Sequence, residues 1–188
     1  MEPASRPKVV VVMVHPDCQY DPTLLPDIIR PIREGKADVV LGSRLLDAQP
    51  VKQGMPWWKY VTNRFLTGLE NAVFGLKLSE YHTGYRAFAR EALEAVNLDM
   101  NSDNFIFDQE IVAQLVNLQM RIAEVSVPTR YFPQASSASF LQSSVYGMSI
   151  LWLLGRFQLD RWRWLRQRQF ESLSQRYAKG RGPAHREC

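Results

Sequence analysis

Within seven residues, His15, Asp17, Gln19 and Asp21 bring together an imidazole, two carboxylates and an amide. A carboxylate with oxygen and nitrogen donors beside it can ligate a hard divalent cation, so Asp17, with Gln19 and His15, is a candidate site for Mg²⁺ or Mn²⁺. Asp21 has another task, because Pro22 follows it: Asp at the N-cap and Pro at the first helical position start a helix. Asp17 stands four residues too early to cap that helix. Gly42-Ser43-Arg44 offers a guanidinium that can grip a phosphate through forked contacts, with a plain surface turn as the competing interpretation. Thr83-Gly84-Tyr85-Arg86 combines a flexible residue, an aromatic ring and a cation. Lys59, Asn63 and Arg64 share one helix surface, which is either a binding face or a solvated one. His82 and His185 have no ligand spacing and are expected at the surface. No nucleophile elbow, Walker loop or paired His/Cys zinc spacing occurs.

The elements that must position these residues follow from periodicity. Lys8–Val14 is a continuous apolar, β-branched run, which predicts a strand buried on both faces. Leu24, Leu25, Ile28, Ile29 and Ile32 keep helical spacing, and Gly35 ends that helix. Asp38–Leu41 is a second buried strand. Strand, helix and strand with short connections predict a βαβ unit and a parallel sheet, with ligands beyond the carboxyl ends of its strands. Asp17 and Arg44 are then expected on one rim. A helix is predicted from Pro56 to about Phe74, its apolar face formed by Trp57, Tyr60, Val61, Phe65, Leu66, Leu69 and Val73. Further helices are expected over Arg90–Val96 and Asp108–Met120, a strand over Arg121–Val127, and an amphipathic helix over residues 140–170. Residues 1–7 and 171–188 are expected to be disordered.

The 188 residues, 46% hydrophobic and 22% charged, suit one globular domain with an appendage. No run of 18 apolar residues is present, and the first residues do not read as a signal peptide. Cys18 and Cys188 form no disulfide framework, which predicts reduced thiols and a cytoplasmic protein. Residues 156–188 carry nine Arg or Lys against three Asp or Glu, while the rest of the chain is net −2. Tyr146, Ile150, Leu151, Leu153, Leu154 and Phe157 form an apolar helical stretch directly before Arg161, Trp162, Arg163, Trp164, Arg166 and Arg168. Such a segment is expected to dock at a membrane surface rather than span it. Nucleic acid is not expected as a partner, because the apolar stretch would have no purpose there.

Several of these motifs, in this order, resemble family 2 glycosyltransferases, and most closely the dolichyl- or polyprenyl-phosphate sugar synthases. His15-Pro16-Asp17-Cys18-Gln19-Tyr20-Asp21-Pro22 and Asp38–Arg44 resemble the family's aspartate-x-aspartate segment and its following Gly-Ser-Arg strand. Glu80–Phe88 resembles its acidic-x-x-Ser-Gly-Phe-Arg stretch, Glu110 its helical glutamate, and Glu124–Pro128 its Glu-Val-Pro strand. The resemblance implies an α/β fold: a partial GT-A-type, Rossmann-like parallel sheet over residues 8–140, with flanking helices and an amphipathic C-terminal helix over residues 141–170. It further implies a nucleotide-sugar donor, a lipid-phosphate acceptor and a divalent cation held by Asp17 and Gln19. Arg44, Lys59 and Asn63 would bind the acceptor phosphate, and Arg86 and Glu110 would shape the pocket. His15 stands where the family has its first aspartate, and of the family's later Arg-rich loop only Arg130 remains.

The family's opening Pro-aromatic-Asn-Glu and Asp-Asp-Gly-Ser segments, which hold the nucleotide, do not occur in these 188 residues. The expectation is therefore an enzyme whose recorded start is late, or one whose nucleotide-binding half is a second chain. The alternatives are a non-catalytic remnant or partner subunit that binds lipid phosphate or the membrane surface, and a basic-tailed peripheral module.

Overall fold

The computed structural model describes residues 9–15, 19–46, 50–128, 140–171 and 173. Strand β1 (Val10–Val14) is followed by a single 3-10 turn, Pro22–Leu24, and helix α1 (Leu25–Arg33). Asp21 caps this start as expected, accepting from Thr23 N at 2.9 Å and from the Thr23 hydroxyl at 2.7 Å. Ile28 and Ile32 carry the helix onto the sheet. Strand β2 (Val39–Ser43) is buried along its whole length. Helix α2 (Trp57–Phe74) and strand β3 (Tyr85–Ala89) follow, then α3 (Arg90–Ala95), α4 (Phe107–Asn117), β4 (Ile122–Ser126) and α5 (Phe140–Arg161).

The four strands form one sheet in the order β1-β3-β2-β4. The α/β architecture is as expected, but the sheet is mixed rather than all-parallel. β3 runs antiparallel to both β1 and β2, while β2 and β4 are parallel. The β1-α1-β2 crossover exists, yet it steps over a slot that β3 fills. Periodicity did not mark β3 as a strand, because Tyr85-Arg86-Ala87-Phe88-Ala89 has an arginine in its middle and only five residues. β1, β2 and β4 still point the same way. Their carboxyl ends and the amino end of β3 make one rim, which carries His15, Arg44, Thr83 and Gly84.

Three other expectations are corrected. β1 is not buried on both faces: it lies at the sheet edge, with Val11 and Val14 exposed. α2 turns a polar face inward. Asn63, Thr67 and Glu70 are buried there with Leu66 and Phe74, while Trp57, Val61 and Phe65 are exposed. The inward polar residues have partners waiting in the loop before β3, which makes their burial tolerable. Finally, the C-terminal helix stops at Arg161. Arg163 takes a left-handed φ of 61°, and the chain folds back, so that Asn117 Nδ2 donates to Phe170 O at 2.8 Å. Ile150, Leu153, Leu154 and Phe157, expected at a membrane, are instead core residues. Phe157 packs edge-on against Phe74 at 5.1 Å and Phe170 at 5.4 Å.

Candidate functional site

Glu80 is the centre of the rim. It is fully buried, in the loop between α2 and β3. One of its oxygens accepts from Arg44 N at 2.8 Å. The other accepts from Arg44 Nε at 2.9 Å, from Arg44 Nη2, and from Asn63 Nδ2 at 2.7 Å. Arg44 Nη2 also donates to His82 O at 2.7 Å. Asn63 turns its carbonyl to His82 Nδ1 at 3.1 Å, and His82 Nε2 lies 3.1 Å from Glu70 Oε2, close but off the hydrogen-bond direction. His82 is thus built into the interior rather than standing at the surface as expected. A second carboxylate, Glu124 on β4, fixes the same loop by accepting from Ser79 N and, at 3.0 Å, from Glu80 N. These charge-assisted bonds hold the loop from two strands at once.

Lys59 lies on the first turns of α2, beside this network. Burial and then the positive charge of Arg44 hold its ammonium below the usual lysine range. Its Nζ sits 5.3 Å from the centre of the Trp58 ring. The expected trio of Arg44, Lys59 and Asn63 is therefore brought together at the carboxyl end of β2. Arg44 and Lys59 share that place with Glu80, and Glu124 and Glu70 hold the same loop, so the two cations mark a place for an anion by position rather than by net charge. Arg64 lies apart, donating to Ser79 O at 3.2 Å from an exposed position.

The Thr83–Arg86 motif locks the middle of the rim. Arg86 is buried, donating to Thr83 O at 2.8 Å, Tyr81 O at 3.0 Å and Asp108 O at 2.8 Å. It thus ties the β3 entry to the start of α4 and presents no free fork to a ligand. Tyr20 OH accepts from Gly84 N at 3.0 Å. A Cβ at Gly84 would lie 2.7 Å from the His15 ring, so any larger residue there requires that ring to move. At Gly42 a Cβ would meet Val127 Cγ2 at 2.8 Å and Tyr85 O at 3.1 Å. That close approach of strands and side chains explains the glycine in Gly42-Ser43-Arg44.

Glu110, on α4, is nearly buried and accepts from Ser102 N at 2.7 Å and Ser102 Oγ at 3.0 Å. It lines a groove beside α5 together with Ser102, Phe105 and Tyr146. Asp17 and Arg130 lie outside the described residues. His15 and Gln19 are described, and among the described residues no three His, Cys, Asp or Glu side chains gather as a metal group. An imidazole and an amide alone are a poor match for a hard divalent cation, so the described residues by themselves do not make the expected site.

Sequence reasoning missed the roles of Glu80, Glu124, His82 and Glu70. A signal existed for the first two. Each is an isolated acid in an otherwise apolar or small-residue stretch next to a rim motif, and such an acid needs a donor when buried. Nothing in the spacing of Glu70 and His82 shows that a loop folds one over the other.

Comparison with known proteins bears on the same residues. Residues 4–96 match the model for glycosyl transferase family 2. The low-salt glycan biosynthesis hexosyltransferase Agl6 of Haloferax volcanii is 32% identical over 130 residues, which cover 69% of this chain and 30% of that protein. The undecaprenyl-phosphate mannosyltransferase of Micrococcus luteus is 26% identical over 85% of this chain and 64% of its own length. The polyprenol monophosphomannose synthase of Mycolicibacterium smegmatis is 25% identical over 63% of this chain and 44% of its own. The chain spans less than two-thirds of the length of each of these three curated relatives.

Proposed function

Proceeding from a chain that belongs to glycosyl transferase family 2 through its residues 4–96, we propose that it forms the acceptor side of an enzyme that transfers a sugar from a nucleotide-sugar to a lipid phosphate. The observation that carries this is the pairing of Arg44 with Lys59 around Asn63 and Glu80 at the carboxyl rim of the sheet. Relatives named for undecaprenyl-phosphate and polyprenol acceptors support it.

The chemistry needs little more from this side. The bond from the anomeric carbon to the donor's diphosphate breaks, and its electron pair leaves with the diphosphate. A bond from the same carbon to an oxygen of the acceptor phosphate forms. A phosphate monoester has a second pKa of about 6, so it arrives largely ionised and needs placing rather than deprotonating. Lys59 and Arg44 orient it, Glu80 holds Arg44 in its rotamer, and Arg86 fixes the loop that carries Glu80. A divalent cation at Asp17, with Gln19 and His15 nearby, would supply charge neutralisation for the departing diphosphate. The donor's nucleotide would be held by residues outside this chain's described part, in the same polypeptide or in a second one.

For the expected membrane attachment we retain only the later, Trp- and Arg-rich part of the segment, since the apolar stretch before it is largely buried. Trp162, Trp164 and Leu165 are exposed beside the exposed Arg161, Arg163, Arg166 and Arg168. Aromatic and basic residues in this arrangement suit an anionic bilayer surface. No helix among the described residues is long and apolar enough to cross a membrane. Flotation with anionic vesicles should be lost in a Trp162→Ser/Trp164→Ser double variant and should weaken as salt rises.

Calorimetry tests the central claim. Farnesyl phosphate should bind at least tenfold more tightly than farnesol, and Lys59→Ala should erase that difference. Equal affinities in the wild-type protein would remove the lipid phosphate as acceptor.

A further inference from the structure

Trp57, Val61 and Phe65 recur at every fourth position of α2, so they share one side of the helix, and Gly68 and Ala72 continue their stripe. All five are exposed, Trp57 by 70% and Phe65 by 63%. On α5, Met148, Leu151 and Trp152 are exposed, with Ser144 and Gly155 exposed in line with them. Each stripe lies opposite the residues that its helix buries, which are Asn63, Thr67 and Glu70 on α2 and Ile150, Leu154 and Phe157 on α5. The two helices adjoin. A Cβ at Gly147 would lie 3.9 Å from Leu66 Cδ1, Phe157 packs on Phe74 at 5.1 Å, and Arg161 Nη1 donates to Val73 O at 3.3 Å. α2 and α5 therefore run side by side in the same direction, with both stripes turned away from the core. Large apolar side chains gathered on one exposed face mark a contact surface.

Charge sets the kind of partner. Neither stripe holds an Asp, Glu, Lys or Arg. The acids of these two helices are Glu70, which is buried, and Asp160, which accepts from Gln167 N. Basic residues stand at the margins instead. Arg64 is exposed next to Phe65, and Arg161 ends α5, where Trp162, Arg163 and Trp164 continue the exposed surface. A face that is apolar and aromatic in the middle, basic at its margins and without an exposed carboxylate matches a bilayer with anionic headgroups. A second copy of this chain matches it less well, because the same arginines would be brought together across the contact. Lying in the plane of the interface suits these helices, since no helix among the described residues is long and apolar enough to cross a membrane.

We propose that the paired outer sides of α2 and α5 lie flat on a membrane surface, with Trp57, Phe65, Met148 and Trp152 entering the boundary between headgroups and acyl chains. The inference rests on the membrane attachment through Trp162 and Trp164 given above, and it adds a second surface of which that patch is one margin. The test uses the 188-residue protein with vesicles of phosphatidylcholine and phosphatidylglycerol. Phe65→Ser/Met148→Ser alters two exposed residues, so the melting temperature should be unchanged, while vesicle affinity should fall at least about tenfold. A conservative variant gives an independent reading. Phosphatidylcholine brominated in its acyl chains should quench tryptophan emission of the vesicle-bound wild type. Trp57→Phe/Trp152→Phe keeps the face apolar, so it should float equally well, but the quenched fraction of its emission should be smaller. If Phe65→Ser/Met148→Ser floats like the wild type, or if the quenched fraction stays equal or rises in Trp57→Phe/Trp152→Phe, the proposal is overturned and the patch at Trp162 and Trp164 is left as the contact. If Trp162→Ser/Trp164→Ser floats normally while Phe65→Ser/Met148→Ser does not, the face stands and the patch is the reading that fails. Sedimentation velocity checks the rival occupant: a wild-type dimer that Phe65→Ser/Met148→Ser turns into monomers, with vesicle affinity unchanged, would assign the face to a second copy and overturn the proposal.

Discussion

Arg44 and His15 stand at the carboxyl ends of two strands that run in the same direction, yet their surroundings differ sharply. Around Arg44, a buried glutamate, an inward-facing asparagine and a loop held by Glu124 leave little freedom. Around His15, β1 has β3 on one side and no further strand among the described residues on the other, and the histidine ring rests on Gly84 in an exposed position. The first half of the rim is completed by residues of this chain. The second half ends at an edge strand, the kind of surface that is normally covered or paired. The difference teaches that the Arg44 half offers a closed network whose binding can be tested directly, whereas the His15 half presents an open edge among the described residues.

The largest effect is expected where the rim is most closed. Glu80→Ala removes the carboxylate from a half-buried guanidinium and from Asn63. Breaking a buried pair by taking one partner away costs about 3–5 kcal/mol. Urea denaturation should register that loss, and a change below 1 kcal/mol would mean that the network is not the structural unit described above. Asp17→Ala tests the proposed cation instead. It should slow Mn²⁺-dependent sugar transfer about a hundredfold once the donor-binding part is supplied, the scale of removing one preorganised electrostatic element. Equal transfer rates would take Asp17 out of the mechanism.

The two glycines of the rim sharpen the contrast. At Gly42 an added methyl would meet Val127, Ile28 and the Tyr85 carbonyl, all in packed surroundings. Gly42→Ala should therefore cost about 1–3 kcal/mol, the usual price of overpacking. At Gly84 the obstacle is the ring of an exposed histidine, which can swing aside. Gly84→Ala should cost less than Gly42→Ala in thermal denaturation, and a His15→Ala background should remove most of what remains. The opposite order would place the rigid half of the rim at β1.

Much of this was legible in the sequence, and the gaps have physical causes. Asp21-Pro22, the α2 span and β2 carry local signals: a cap, a helical repeat and a run of buried valines. The crossover between β1 and β2 predicted one rim for Asp17 and Arg44; Asp17 lies outside the described residues, and His15 at the end of β1 is what the structure places on the rim with Arg44. The central place of β3 did not, because strand order depends on which segments pair across the chain, and a five-residue strand with an internal arginine has no strong period. The direction of the helices was also hidden. On α2 an apolar stripe predicts the buried face only when no polar partners wait inside, and Glu80 and His82 were waiting. On α5 the apolar stretch of Ile150, Leu153, Leu154 and Phe157 has the same pattern whether it meets lipid or Phe74 and Phe170. Because α5 carries core residues, deleting it would disturb the fold, so tryptophan substitutions at the surface are the cleaner probe of membrane binding.

The smallest predicted effect concerns Lys59, where stability and binding should move in opposite directions. Its folded-state pKa lies below the value of 10.5 expected for a free lysine, because of burial first and Arg44 second. A lysine of this kind binds its proton less tightly in the folded chain. Between the two values the unfolded chain holds more protons, so the wild type gains stability as pH rises through that window. At neutral pH the charged ammonium is therefore a burden on the fold. Lys59→Met keeps the packed stem and removes the charge, so it should stabilise the protein by no more than about 0.5 kcal/mol, in keeping with a partly exposed site. The gain should disappear as pH rises through 10.5. The same variant should lose its affinity for farnesyl phosphate. An anion at the rim favours the charged form of Lys59, so binding at alkaline pH below 10.5 should be accompanied by proton uptake, readable as a buffer-dependent calorimetric heat. A variant that is less stable at neutral pH would mean that the contact between Lys59 and the Trp58 ring outweighs the crowding of two cations, and that the rim is not poised for an anion.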